Sequence, residues 1–159
     1  MPRMRCLLLG AAVAALAATG CSSSGDEGTP QACLAPAGTY IDALDAAPGA
    51  VRLGGSTPIS DCFPADQDAA DLAQAGQSVI EAAKQLNADA RRDPGGAQTV
   101  ALGYLVGAVQ EGASATGGIH ADLVRRLDAA ARFAPAGERL PVSFERAFNQ
   151  GYAAGQQDG

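Results

Sequence analysis

The chain of 159 residues has no tryptophan, one histidine, one lysine and only 4% aromatic residues. Each scarcity closes off a class of function. With Lys84 as its only lysine and 11 basic groups against 17 acidic ones, the chain lacks the clustered cations that nucleic acid and anionic lipid headgroups require, so no nucleic-acid partner is expected. A lone His120 with neither a second histidine nor a Cys-x-x-Cys pair forms no metal-site pattern, and no base accompanies a nucleophile, so no metal ligand and no catalytic residue is assigned. Residues 112–118, GASATGG, lack the lysine and the preceding strand of a phosphate-binding loop, and Thr116 stands where a G-x-S-x-G elbow needs glycine. No cofactor is expected. Asp66, Asp68 and Asp71 do not begin a calcium loop, because the sixth and twelfth positions hold Asp71 and Gln77 instead of glycine and glutamate.

Long hydrophobic runs are also few, and the longest stands at the front. Arg3 and Arg5 give a basic start, Leu7 to Ala18 an apolar core interrupted by Gly10, and Ala18, Thr19 and Gly20 a small-residue approach to Cys21. A spanning helix needs about 20 apolar residues, so this shorter run has the three-part layout of a secretory signal. Ala18-Thr19-Gly20-Cys21 resembles the lipobox of bacterial lipoproteins, although Ala18 replaces the commoner leucine. The resemblance implies diacylglycerol on the Cys21 sulfur, cleavage before Cys21, a palmitate-type acylated terminus and a domain held outside the cytoplasm on the bacterial cell envelope. Durable anchoring takes two or more acyl chains, which that chemistry supplies. Residues 1–20 are accordingly expected to be a signal peptide. The chain beyond them carries 9 basic against 17 acidic groups, a net −8.

Of four cysteines, Cys6 lies in the signal and Cys21 takes the lipid, which leaves Cys33 and Cys62 as a pair in an oxidising compartment. A disulfide between them is the expectation. Reinforcement is needed, because residues 21–159 contain only 28 Leu, Ile, Val, Phe and Tyr and so have a thin core.

Residues 21–31, CSSSGDEGTPQ, read as a flexible tether. Residues 32–65 are punctuated by proline and glycine and are expected to form an irregular, disulfide-closed segment holding one short helix capped by Thr39. From residue 66 to 159 helical periodicity takes over. The first long helix is expected over Ala69 to Arg92, with Leu72, Val79 and Leu86 seven apart and Gly76, Ala83 and Ala90 between them. Asp93-Pro94-Gly95-Gly96 stops it. A second, over 97–111, is apolar on every face from Val100 to Val109 and must be central. A third, over 119–133, is amphipathic, with Ile119 on its buried face and His120 on its surface. In a fourth, capped by Ser143, Phe144, Phe148 and Tyr152 form an aromatic stripe beside the small stripe Ala147, Gly151 and Gly155.

The fold class expected is all-α: a small antiparallel bundle of about four helices under an irregular N-terminal segment. Functionally the chain reads as a lipid-anchored, non-enzymatic envelope module binding an envelope protein or a small ligand. Its candidate surface is formed by Gly103, Tyr104, Gly107, Phe144, Phe148, Gly151, Tyr152 and Gly155. Two alternatives compete with it. One is a hydrolase with carboxylates assembled from separate helices, such as Glu81, Glu111 and Glu145; the other is a small structural or inhibitory lipoprotein.

Overall fold

A computed structural model of the chain describes residues 28–134 and 137–159. The expected signal peptide, the lipid-attachment site Cys21 and most of the tether lie outside the described residues. Within them the protein is helical: α1 (Ala37–Leu44), α2 (Ala69–Arg92), α3 (Ala97–Ser114), α4 (Ala121–Ala131) and α5 (Val142–Asp158), with short 3₁₀ turns at Gln31–Leu34 and Ser60–Cys62. No helix among the described residues is long and apolar enough to cross a membrane.

Local signals account for α2. Asp68 is its N-cap and accepts a hydrogen bond from the Ala70 amide at 2.8 Å, while Arg91 and Arg92 occupy the last turn beside the negative end of the helix dipole. The alternating seam is buried at Gly76, Val79, Ala83, Leu86 and Ala90, and half-buried at Leu72. A Cβ at Gly76 would come within 3.2 Å of a Leu123 methyl, so the small seam position admits α4. Asn87 then donates to the carbonyls of Ala130 and Arg132 at 2.9 and 3.0 Å, satisfying two free acceptors at the end of α4.

The helix α3 is the centre of the bundle, meeting α2, α4 and α5 as well as the N-terminal segment. Its residues from Ala101 to Val109 are all buried, as an all-round apolar helix must be. Gln110 pairs with Asp128 across α3 and α4, and Val106 lies near Ala131, so these neighbours run antiparallel. The contact between α3 and α5 is parallel, because α4 carries the chain back before α5 begins.

The N-terminal segment lies across the helices and is closed by the disulfide Cys33–Cys62, whose Cα atoms are 5.3 Å apart. Both cysteines are fully buried. Buried with them, Tyr40 donates from its hydroxyl to the Cys33 carbonyl at 2.7 Å, and burial pushes that hydroxyl's pKa upward, so it remains a donor. Tyr104 of α3 accepts from the Val51 amide at 3.2 Å. Near Val51, Gly54 and Gly55 take φ of 58° and 84° to turn the chain so that Leu53 bridges Thr57.

Several expectations need correcting. The helix α1 begins at Ala37, two residues before its expected cap Thr39, and α5 begins at Val142 with Pro141 as N-cap. Gly112, where the run GASATGG predicts a flexible loop, lies inside α3, and a Cβ there would come within 2.9 Å of the Ser60 backbone; the glycine instead admits a neighbouring stretch of the chain. The tether is fixed to the domain from Thr29 onward, since Thr29 accepts from Gln67 at 2.9 Å. Gln156 to Gly159, a polar and glycine-ended stretch expected to fray, are held: the Arg52 guanidinium donates to the Asp158 carbonyl at 2.7 Å and Ser60 donates to that of Gly159.

The largest correction concerns His120 and Ile119. Gly117 and Gly118, at φ 63° and 92°, redirect the chain before α4, leaving Ile119 47% exposed and His120 fully buried at the N-cap. His120 meets the Phe63 ring edge-on at 5.6 Å and shares a 2.8 Å hydrogen bond with Gln67 Oε1. The Gln67 amide nitrogen already donates to Thr29 and, at 2.8 Å, to the Cys62 carbonyl. Gln67 Oε1 is therefore the acceptor and His120 Nε2 carries the proton. His120 Nδ1 is left buried without a partner.

Burial lowers the His120 pKa, because a charged ring there would lose its water and would sit at the positive end of α4. The unfolded chain takes up this proton near the ordinary value of about 6.5. The folded chain resists until a lower pH. Stability is therefore full above the unfolded value and is lost as pH falls through it toward the folded one. Thermal melts are expected to fall between about pH 7.5 and about pH 5.5, above the range of ordinary carboxylates. In His120→Gln the slope over that interval should flatten; an equal slope in both proteins would place the titration elsewhere.

Candidate functional site

Four aromatic rings run along one side of the α3, α4 and α5 assembly. Phe133, just beyond α4, packs on Phe144 with ring centroids 4.2 Å apart, Phe144 on Phe148 at 5.6 Å, and Phe148 on Tyr152 at 6.3 Å. The last three are spaced by four residues and so share one face of α5. Phe144 is buried, whereas Phe148 and Tyr152 are only half-buried. Tyr152 is held by its hydroxyl, which donates to Gln110 at 2.6 Å and accepts from Gln156 at 3.1 Å.

Three of these rings, Phe133, Phe144 and Phe148, border a cleft of about 480 Å³, whose apolar wall also includes Val106 and Leu140. That volume lies in the range of small-molecule sites, which are concave, mainly apolar and carry a few polar groups. The polar groups here are Asp128, Arg132, Glu138, Glu145 and Asn149. A larger cleft of about 680 Å³ is lined by Pro30, Phe63 and Pro64 together with Ser60, Asp61 and Glu111; it has one aromatic ring where the first cleft has three, and a more polar lining.

The residues singled out in the sequence separate into three groups. Phe144 and Phe148 line the aromatic cleft, with Tyr152 continuing the ladder. Gly103, Gly107, Gly151 and Gly155 sit in the α3–α5 contact, where an added Cβ would meet the opposing backbone inside 3.0 Å; no ligand has room there. Tyr104 is fully buried and is turned to Val51 of the N-terminal segment. The glycines thus set the helix spacing on which the cleft depends without lining it.

Phe133 and Leu140 were missed as site residues. Phe133 was assigned to the end of a helix, and Leu140 stands in the connection APAGERLP as its only large apolar residue. That isolation among small, proline and charged residues is the available signal. The three carboxylates named for the hydrolase alternative do not meet in one cleft, although Asp61 lines the same cleft as Glu111, and Asp128 and Glu138 that of Glu145. Glu81 lies beside Leu34 and Pro36, Glu111 beside Ser60 and Asp61, and Glu145 in the aromatic cleft. Among the described residues no three metal-ligating side chains cluster. Comparison with protein-family models, with curated proteins and with solved structures finds no match.

Proposed function

We propose that the protein is a non-enzymatic binding module of the bacterial cell envelope, anchored through lipid on Cys21, that captures a small, largely apolar molecule in the cleft between α3, α4 and α5. The anchor rests on the lipobox-like Ala18-Thr19-Gly20-Cys21. The observation that carries the binding role is the apolar wall of the cleft: aromatic rings left half-buried in a concavity of about 480 Å³. Leaving such rings open to water forgoes roughly 25 cal/mol per Å² of apolar surface, which a ligand recovers on entering. Concavity and volume favour a small ligand over a protein partner, whose interface would ordinarily be broad and flatter.

The test uses the exported chain carrying Cys21→Ser and an uncharged fluorescent probe, N-phenyl-1-naphthylamine. Probe fluorescence is expected to rise on binding. Phe148→Ala should weaken binding by about tenfold, because it removes most of one aromatic wall, a loss of about 1.4 kcal/mol or more. Glu81→Gln, on a separate surface, should leave it unchanged. A folded Phe148→Ala protein that binds the probe like the parent would remove the cleft from consideration. Metabolic labelling with a palmitate analogue that failed to mark the parent protein would remove the anchor.

A further inference from the structure

We infer that the ligand of this cleft is an organic cation: an aryl or alkyl body carrying an ammonium group. The inference rests on the cleft being the binding site and adds the charge of what it takes. Three carboxylates, Asp128, Glu138 and Glu145, line it against one guanidinium, Arg132. Arg139 and Arg146 follow two of these acids in sequence but are not among the lining residues.

The carboxylates are also uncommitted. The ion pairs among the described residues are Lys84–Glu81, Arg92–Asp89 and Arg125–Asp122, all within single helices and none at the cleft. Asp128 accepts one hydrogen bond from neutral Gln110 at 3.0 Å, which leaves its charge in place. Thus the lining carries a formal excess of two negative charges beside the aromatic wall of Phe133, Phe144 and Phe148.

Both features attract the same chemistry. The faces of aromatic rings are negative and draw ammonium groups within about 6 Å, more strongly as water is excluded. Asp128, Glu138 and Glu145 are all exposed, so they act from the rim of the cleft, where their attraction for a cation is screened by water and salt. An anionic ligand would meet repulsion from the same groups. The net −8 of residues 21–159 adds a weaker, salt-screened attraction for cations at a distance.

Three probes with one apolar body separate charge from shape: 4-phenylbutyltrimethylammonium, 4-phenylbutanol and 4-phenylbutyrate. Each is titrated into the exported Cys21→Ser chain by calorimetry, with amide chemical shifts around Phe148 reporting location. The ammonium is expected to bind about tenfold tighter than the alcohol, with the carboxylate weakest. Glu138→Gln with Glu145→Gln should bring the ammonium several-fold closer to the alcohol's affinity, the remaining preference coming from Asp128 and the rings. Raised salt should weaken the ammonium alone. If the alcohol or the carboxylate binds as tightly as the ammonium, the cation preference is wrong while the cleft stands as an apolar site. If none of the three shifts the amides near Phe148, both readings fall.

Discussion

Gly151→Leu is expected to detach α5 from α3 and to lower the free energy of unfolding by at least about 3 kcal/mol. A Cβ at Gly151 would lie 2.8 Å from the Val100 carbonyl carbon and 2.9 Å from the Tyr104 amide nitrogen. Both are backbone atoms of a buried helix and cannot turn aside as a flexible side chain could. Gly103, Gly107 and Gly155 face the opposing backbone in the same way, so relief at one position would tighten another. Small residues repeated every fourth position bring the two parallel helices close enough for backbone contact, including weak Cα–H···O bonds.

Beyond the ring contact of Phe133 with Phe144, the Tyr152 bond to Gln110 and the bonds from Arg52 and Ser60 to its last residues, little else holds α5. Its buried residues are Phe144, Ala147, Gly151 and Gly155, and no other helix makes a substantial contact with it. Loss of the glycine contact should therefore release the whole helix and open the aromatic cleft with it. Denaturant titration reads the stability, and hydrogen exchange should show protection lost first across α5. Gly38→Ala is the control: it lies in α1 with nothing within 4 Å of an added Cβ, so it should stabilise by roughly 0.5 kcal/mol through helix propensity. Equal stability of Gly151→Leu and the parent would mean that the helices separate without cost, contrary to this packing.

Removal of the disulfide by Cys33→Ala with Cys62→Ala is expected to cost about 3 to 4 kcal/mol. The bridge spans 29 positions of sequence, and closing a loop of that length restricts the unfolded chain by roughly that amount in the chain-entropy model. For a domain of this size the melting temperature should fall by roughly 10 to 20 °C. The folded side of the equilibrium contributes as well, because both sulfurs are fully buried and Tyr40 bonds to the Cys33 carbonyl. Loss of the cross-link should release the N-terminal segment before the α2–α4 seam, whose contacts do not depend on it. Circular dichroism would then show much of the helix retained while the near-ultraviolet signal of Tyr40 and Tyr104 weakens. A melt unchanged within a degree or two would mean that helix packing alone holds the segment in place.

What was legible in the chain was what neighbouring residues decide among themselves. Asp68 at one end and Asp93-Pro94-Gly95-Gly96 at the other bound α2 at Ala69 and Arg92, because caps and breakers act across a few residues. The all-apolar run from Val100 to Val109 made α3 central, and elimination among four cysteines singled out Cys33 and Cys62. Even the small stripes on α3 and α5 were visible as periods. Small residues every fourth position already signal backbones that approach closely; only packing showed that Gly103, Gly107, Gly151 and Gly155 leave no room for a ligand between them.

The tertiary structure decided matters that depend on a distant partner. A helical period places Ile119 inward, yet two glycines with positive φ turn it out and put His120 against Phe63 and Gln67, more than fifty residues earlier. The cleft arises in the same way. Phe133 and Leu140 belong to a connection with no periodicity, and they meet Phe144 and Phe148 only because α5 docks on α3 rather than on α4. Periodicity and capping record energies that act within one or two helical turns, so the sequence by itself determined the helices. Which faces meet, and what hollow remains between them, follows from contacts closed across long loops, and those exist only in the folded chain.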